Sequence, residues 1–219
     1  MGCSSNTAEP QTAENNGGAE ESDYLEDYNR WMTGVNDDIY MNIIFPIGRG
    51  YRAITTKGVR RGIKNFFHNL AFPVRFVNNI LQAKFLCAGK ELLRFCINTT
   101  IGLLGFFDPA KDWFGIEACE EDFGQTLGFW GVGPGPHIVL PVLGPTNLRD
   151  MTSLYVDTVY DPLYYLDRKE YTYTAVGFRS LTEFEPRIEE YDSIKKDAFD
   201  LYLFMRDAYE QNREKKIEE

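Results

Sequence analysis

The sequence predicts a mostly helical, all-α domain that encodes no conventional membrane-spanning helix, and three observations shape that expectation. Apolar residues recur at helical intervals in segment after segment. Nothing approaches the uninterrupted run of about 18 apolar residues that a spanning helix needs. Residues 123–150, finally, hold six of the 19 glycines and four of the ten prolines among Leu, Val, Ile, Phe and Trp. That segment is too broken to be one regular helix and too apolar to be a solvated loop. Unpaired backbone in an apolar setting is costly, so it must be buried in protein or line a cavity. A pore or groove wall at a membrane is one reading; a buried irregular linker in a globular core is the other.

The elements follow in order. Residues 1–22 contain no aromatic residue, no Lys and no Arg; such a stretch cannot bury enough apolar area to order itself. We read 1–23 as a disordered tether and 24–219 as one helical domain. A first helix is expected over 24–37, capped by Ser22, with Tyr24, Tyr28, Trp31 and Met32 on one side. A second, over 59–71, places Ile63, Phe66, Phe67 and Leu70 at helical intervals, and Pro73 breaks or kinks the chain after it. Val74, Val77, Ile80 and Leu81 resume the period, and 85–99 offers Ala88, Leu92, Phe95, Cys96 and Thr99. Helices over 147–160 and 188–212 complete the set, the last with a stripe of Tyr191, Ile194, Ala198, Leu201, Met205 and Tyr209. These stripes are read as core faces.

Charge narrows the function classes. The chain carries −10, which argues against nucleic acid as a partner. Residues 39–90 contain no Asp or Glu but nine cations, Arg49, Arg52, Lys57, Arg60, Arg61, Lys64, Arg75, Lys84 and Lys90, so the remainder carries −19. Either the block meets anionic head groups, with Arg60, Arg61 and Lys64 as candidate contacts, or it pairs with the acidic half of the same protein. No catalytic constellation stands out. Gly-x-Ser-x-Gly is absent. The glycines at 128, 131, 133 and 135 are followed by no Lys-Ser/Thr, and Pro134 and Pro136 remove donors that a phosphate cradle would use. The acidic run 117–122 aims contiguous carboxylates in different directions and is read as a solvated turn rather than acid/base or calcium chemistry. His68 and His137 lie far from any Cys, so no metal site and no cofactor are expected.

The ordered pattern F-G-x-T-L-G-x-x-G-V-G-x-G-P, then L-P-x-x-G-P and L-R-D, runs from Phe123 through Gly124, Thr126, Gly128, Gly131, Gly133 and Gly135 to Leu140, Gly144, Arg149 and Asp150. It resembles the central signature of the VacJ-like lipoproteins, the MlaA family. Upstream, Tyr28-Asn29-Arg30, Asn65-Phe66 with Asn69-Leu70, and Arg94-Phe95 with Asn98-Thr99 continue the likeness, while His68 and Phe72-Pro73 depart from it.

The resemblance implies a ring-like arrangement of amphipathic helices around an amphipathic channel, set in the inner leaflet of a Gram-negative outer membrane. It implies a passive route that removes phospholipids from the outer leaflet, with no enzymatic step. The partners would be a trimeric porin and a soluble periplasmic lipid carrier. Gly128, Phe129, Gly131, Gly133, Gly135 and Leu140 are then the candidate channel wall. A structural lipoprotein that scaffolds a porin or surface complex without passing lipid is the alternative, and a lipid hydrolase with an unrecognised site is a third reading. Gly2-Cys3 admits N-myristoylation, whose motif wants Ser or Thr where Asn6 stands, or the end of a lipobox with Cys3 acylated after signal removal. The resemblance favours the second, with a periplasm-facing lipid anchor. Cys87, Cys96 and Cys119 then remain, an odd number without paired spacing; an envelope compartment permits one disulfide among them, with the pair left open, but a structural disulfide framework is not expected.

Overall fold

A computed structural model describes residues 25–218; Cys3, the expected tether and Tyr24 lie outside them. Helix α1 (Glu26–Ile39) continues through a π-helical turn (Tyr40–Ile44) into α2 (Phe45–Ile54). Then come α3 (Lys57–Leu70), α4 (Phe72–Leu81), α5 (Phe85–Thr100), the short α6 (Pro109–Asp112) and α7 (Phe123–Phe129). A hairpin of β1 (His137–Leu140) and β2 (Gly144–Asn147) leads into α8 (Leu148–Tyr160), α9 (Lys169–Phe184), α10 (Ile188–Asp197) and α11 (Leu201–Glu218). The all-α expectation holds with this one small antiparallel addition. No helix among the described residues is long and apolar enough to cross a membrane.

Local chemistry sets most boundaries. The side chains of Thr56, Asp108, Asp122 and Asn147 each accept a backbone N–H at the start of α3, α6, α7 and α8, filling orphan donors of the first turn. Pro73 sits in the first turn of α4, where a missing N–H costs nothing, and the chain bends just before it at Ala71. The expected helix over 188–212 is in fact two. The backbone is extended at Ala198 (φ −73°, ψ 126°), so Tyr191 and Ile194 do not share a stripe with Leu201 and Met205. The sequence reading missed α2 and α9: Pro46, Gly48 and Gly50 disguise the first as a broken segment, and the Thr and Tyr residues of the second blur its helical period.

Packed neighbours close a circuit: α2 and α3 both rest on α9, α3 on α4, α4 on α7, α7 on α11, and α11 on α1. The interior of this circuit corrects the reading of the stripes as core. Among the described residues 22 polar or charged residues are buried against 11 hydrophobic ones. On α4 the inward residues are Arg75, Asn78 and Asn79, with Gln82 buried just past its end, while Ile80 and Leu81 are exposed. On α5 they are Glu91, Arg94 and Asn98, with Phe85, Leu86, Leu92 and Leu93 facing out. Two small apolar clusters exist, Met32/Val139/Tyr202 and Tyr40/Phe45/Ile188.

Buried polar groups must be paired, and here the pairing builds the fold. Asn29 donates to the His137 carbonyl (3.0 Å) and accepts from Val139 N–H (2.8 Å). Seven residues on, Asn36 donates to the Leu140 carbonyl (2.8 Å) and accepts from Val142 N–H (2.7 Å). Two helical turns advance about 10.5 Å and three strand residues about 10 Å, so α1 serves the hairpin as a third strand would. On the other side, Arg75 Nε donates to Glu91 (2.7 Å), whose other oxygen accepts from Cys119 N–H (2.8 Å).

The cysteine pairing that the sequence leaves open and the acidic run meet in this neighbourhood. Cys87 and Cys119 form a disulfide with Cα atoms 5.7 Å apart, because the chain after α6 runs back along the start of α5; Cys96 is free and exposed. The acidic run is solvated only in part: Glu117 and Glu120 are exposed, while Glu121 and Asp122 are half-buried. Glu120 accepts from His68 (2.6 Å), Glu121 from Gln82 (2.8 Å) and Lys84 (2.7 Å), and Asp122 from Arg213 (2.6 and 2.9 Å). The carboxylates do point in different directions, and a partner waits in each.

Candidate functional site

The Gly/Pro-rich segment begins as α7, and two glycines let that helix lie directly on charged neighbours. A Cβ on Gly124 would meet Asp150 Oδ1 at 2.4 Å and Arg213 Nη2 at 2.7 Å. One on Gly128 would meet Ile217 Cδ1 at 2.6 Å and Arg149 Nη1 at 3.0 Å. Beneath them Asp150 gathers donors: Arg149 Nε, Arg213 Nε and Asn147 Nδ2, each at 2.9 Å, and Tyr209 OH at 2.7 Å. Burial pushes the Asp150 carboxyl up, but these donors outweigh it and hold the group at about 2. Arg213 thus ties Asp122 and Asp150, the two ends of the segment, to α11.

Beyond Phe129 the helix closes on Gly131 at φ +83°, with Gly131 N–H bonded to the Gly128 carbonyl (2.9 Å) and Val132 N–H to that of Leu127 (3.0 Å). That pair of bonds is a Schellman C-cap, which demands a left-handed residue. The chain then loops over the start of α8, where the Pro134 and Pro136 carbonyls accept from Arg149 and Leu148 N–H, both at 3.1 Å. Residues 129–136 are all exposed. Phe129, Trp130 and Val132 form an apolar lip, with Trp130 Nε1 donating to the Leu81 carbonyl (3.0 Å) and Lys84 Nζ 5.9 Å from the Phe129 ring centre.

Of the candidate wall residues, Phe129, Gly131, Gly133 and Gly135 share this exposed loop. Gly128 lies at its foot, and half-buried Leu140 belongs to the hairpin. Gly133 has open space around it, and Gly131 likewise, whereas a Cβ on Gly135 would come within 3.2 Å of Leu148. Arg60, Arg61 and Lys64 stand elsewhere, on α3 opposite the end of α9. There Arg60 donates to the Thr55 carbonyl (2.6 Å) and lies 3.4 Å from Glu185, while Arg61 binds Asp112 (2.7 Å). Arg49, Arg52, Arg75 and Lys84 are likewise ion-paired. Most of the basic block is therefore balanced within the protein.

The upstream motifs hold a second exposed apolar turn. Arg94 Nη2 and Asn98 Nδ2 each reach Asp108 at 2.8 Å, Asn69 donates to Thr99 (3.0 Å), and Asn65 Nδ2 lies 3.4 Å from the Phe106 carbonyl. Together they fix residues 101–108, where Leu103 and Leu104 adopt left-handed φ of 52° and 59° and face outward. Sequence reasoning missed Arg213, Asn78 and Asp157. Asp157 accepts from Asn78 Nδ2 (3.0 Å) and Phe123 N–H (3.2 Å), and burial pushes its carboxyl up to about 6. Only Asp122, a cap residue directly before the Phe-Gly pair, carried a local signal. No three His, Cys, Asp or Glu side chains among the described residues are grouped to hold a metal ion.

Residues 21–216 match the sequence model of the MlaA lipoprotein family. The intermembrane phospholipid transport system lipoprotein MlaA of Haemophilus influenzae is 30% identical over 219 residues, covering 99% of this chain and 85% of that protein. Its Escherichia coli counterpart is 32% identical over 223 residues, 98% and 82% of the two chains. An uncharacterized protein of Rickettsia bellii is 32% identical over 204 residues, 93% and 80% of the two. A solved structure, described as the structural basis for maintenance of bacterial outer membrane lipid asymmetry, superposes with a TM-score of 0.79 at 30% identity over 90% of this chain and 99% of the other. The chain belongs to the MlaA lipoprotein family.

Proposed function

We propose that this protein is a phospholipid transport lipoprotein of a bacterial outer membrane, and that it gives lipids a passive route out of the outer leaflet. The observation that carries this reading is the inverted burial: amides, guanidinium groups and carboxylates inside, Leu, Phe and Trp outside. In water such a surface is an aggregation hazard. Among acyl chains it costs little, and paired polar groups inside are what an amphipathic path requires. The lip of Phe129, Trp130 and Val132 then meets lipid tails, while the exposed backbone at Gly133 and Gly135 offers polarity to a head group. A trimeric porin and a periplasmic lipid carrier are the partners that the family resemblance implies, and Cys3 is the acylated anchor.

Gly133→Trp is the clean probe of the path. Gly133 has room around it and no left-handed φ, whereas a side chain at Gly131 would also break the C-cap. At normal abundance in the outer membrane, the variant is expected to leave phospholipid accumulated in the outer leaflet. Intact asymmetry would show that the segment does not line the path. Phospholipid retained by the detergent-purified protein supports transport, whereas a tightly held partner without lipid supports a scaffold.

A further inference from the structure

The cleft beside α3 is a basic site in which the fold pairs two of four cations. Lys57, Arg60, Arg61 and Lys64 recur at helical spacing on one face of α3 and line a cleft of about 250 Å³ closed by Thr182, Glu185 and Pro186. Glu185 is its sole carboxylate, and it is already bonded to Arg52 Nε at 2.6 Å as well as lying near Arg60. The Thr182 hydroxyl donates to the Arg179 carbonyl. Arg61 leans on Asp112 outside the cleft. Lys57 and Lys64 are exposed and form no ion pair among the described residues. The first turn of α3 also holds no acidic residue, so Lys57 adds its charge to the positive pole of the helix. Like charges crowded at that pole raise the local potential and favour an anion.

Building on the transport reading above, we propose that this cleft binds the phosphate of an anionic glycerophospholipid, with Lys57 and Lys64 as the selecting charges. Arg60, held by Glu185 and the Thr55 carbonyl, shapes the floor. The cleft has the size of a head group rather than a whole lipid, so the acyl chains would remain in the surrounding bilayer. The site thereby gives the protein a preference for phosphatidylglycerol-type lipids over zwitterionic ones.

Native mass spectrometry of the detergent-solubilised full chain tests this with dioctanoyl phosphatidylglycerol, dioctanoyl phosphatidylcholine and inorganic phosphate. At low salt, each lysine near the head group contributes about fivefold, so the Lys57→Gln/Lys64→Gln protein is expected to bind phosphatidylglycerol about 25-fold more weakly. Binding of phosphatidylcholine should stay unchanged. Lys57→Arg/Lys64→Arg should retain the preference. An undiminished preference in the Gln protein, with unfolding temperature intact, overturns the site. Inorganic phosphate binding the wild type as tightly as phosphatidylglycerol overturns the lipid assignment and makes the cleft a site for free phosphate. Phospholipid co-purifying with a Gln protein that shows undiminished preference sinks the cleft and leaves transport standing. A wild type that carries no lipid while its cleft still binds phosphatidylglycerol sinks transport alone.

Discussion

The region around α4, α5 and residues 117–126 and the seam where α1 and α2 meet α10 are held together by different balances of polar pairing and ring packing. In the first, Arg75, Glu91, Asn78, Asn79 and Gln82 are buried and bonded to one another or to the chain running past them. In the second, the rings of Tyr40, Phe45, Phe184 and Tyr191 pack within 5.4–6.1 Å of one another. The first region carries the outward apolar face, and the contrast follows from that. A helix whose outer face is apolar packs mainly through its polar face, so most of its cohesion comes from hydrogen bonds, to which the stacked rings of Phe72 and Phe95 (4.5 Å) add between α4 and α5. The seam, with rings to bury, uses ordinary core packing.

The largest effect is expected where a charge would be stranded. Glu91→Ala leaves Arg75 buried without its counter-ion and Cys119 N–H without an acceptor, and thermal unfolding should register a loss of about 3–5 kcal/mol. The paired change Arg75→Met/Glu91→Leu should recover much of it. A loss under about 1 kcal/mol for Glu91→Ala would mean that the region does not depend on its polar pairing.

The disulfide staples the same region from the outside. Replacing Cys87 and Cys119 by Ser opens a link across 32 residues and should cost about 2–4 kcal/mol. The loss should appear first as faster proteolysis within residues 113–122, while the aromatic seam stays protected in hydrogen exchange.

Much of this was legible in the sequence, and what was not has a physical reason. Helices α3, α4 and α5 fall where the apolar period and Pro73 place them. The ordered Gly-Pro pattern led to the family. Which side of each helix faces inward was not legible, because periodicity reveals two faces and the surrounding medium decides which turns out. In water the apolar faces of α4 and α5 would be core; among lipids they are surface. Of the wall candidates, Gly131, Gly133 and Gly135 lie where the backbone is irregular, whereas Gly128 and Phe129 belong to α7 and Leu140 to β1. They mixed three tasks, however: close packing at Gly128, a helix cap at Gly131 and open space at Gly133. The clamp of Asp122, Asp150 and Arg213 joins residues up to 91 apart, a separation no local signal bridges. The Cys87–Cys119 bond escaped for the same reason.

A pH effect separates the two regions next. The folded-state pKa of Asp157, about 6, lies above the ordinary 3.8 because burial disfavours its charge. The folded protein therefore holds that proton more tightly than the unfolded chain. The associated stability is fully present below about pH 4 and is lost as pH rises through 6. Comparing the wild type with Asp157→Asn isolates it: relative to the variant, the wild type should lose about 2–3 kcal/mol between pH 4 and 7. A flat difference would show that Asp157 is well solvated.

The smallest expected change lies at the seam and tests the other side of the contrast. Tyr40 donates its hydroxyl to the Val142 carbonyl at 2.7 Å, and burial pushes its phenol up to about 12, so the group stays neutral throughout the working range. Tyr40→Phe removes the donor but keeps the ring among Phe45, Phe184 and Tyr191. Val142 is a partly exposed residue at the hairpin tip, and water can take over its carbonyl. The cost should be that of one net hydrogen bond, about 1 kcal/mol, against the several expected for stranding Arg75. Phe45→Ala, which removes a ring that is 2% exposed, should cost about 3–5 kcal/mol. If Tyr40→Phe proves as damaging as Phe45→Ala, the hydroxyl rather than the rings holds the seam, and both regions would rest on polar pairing alike.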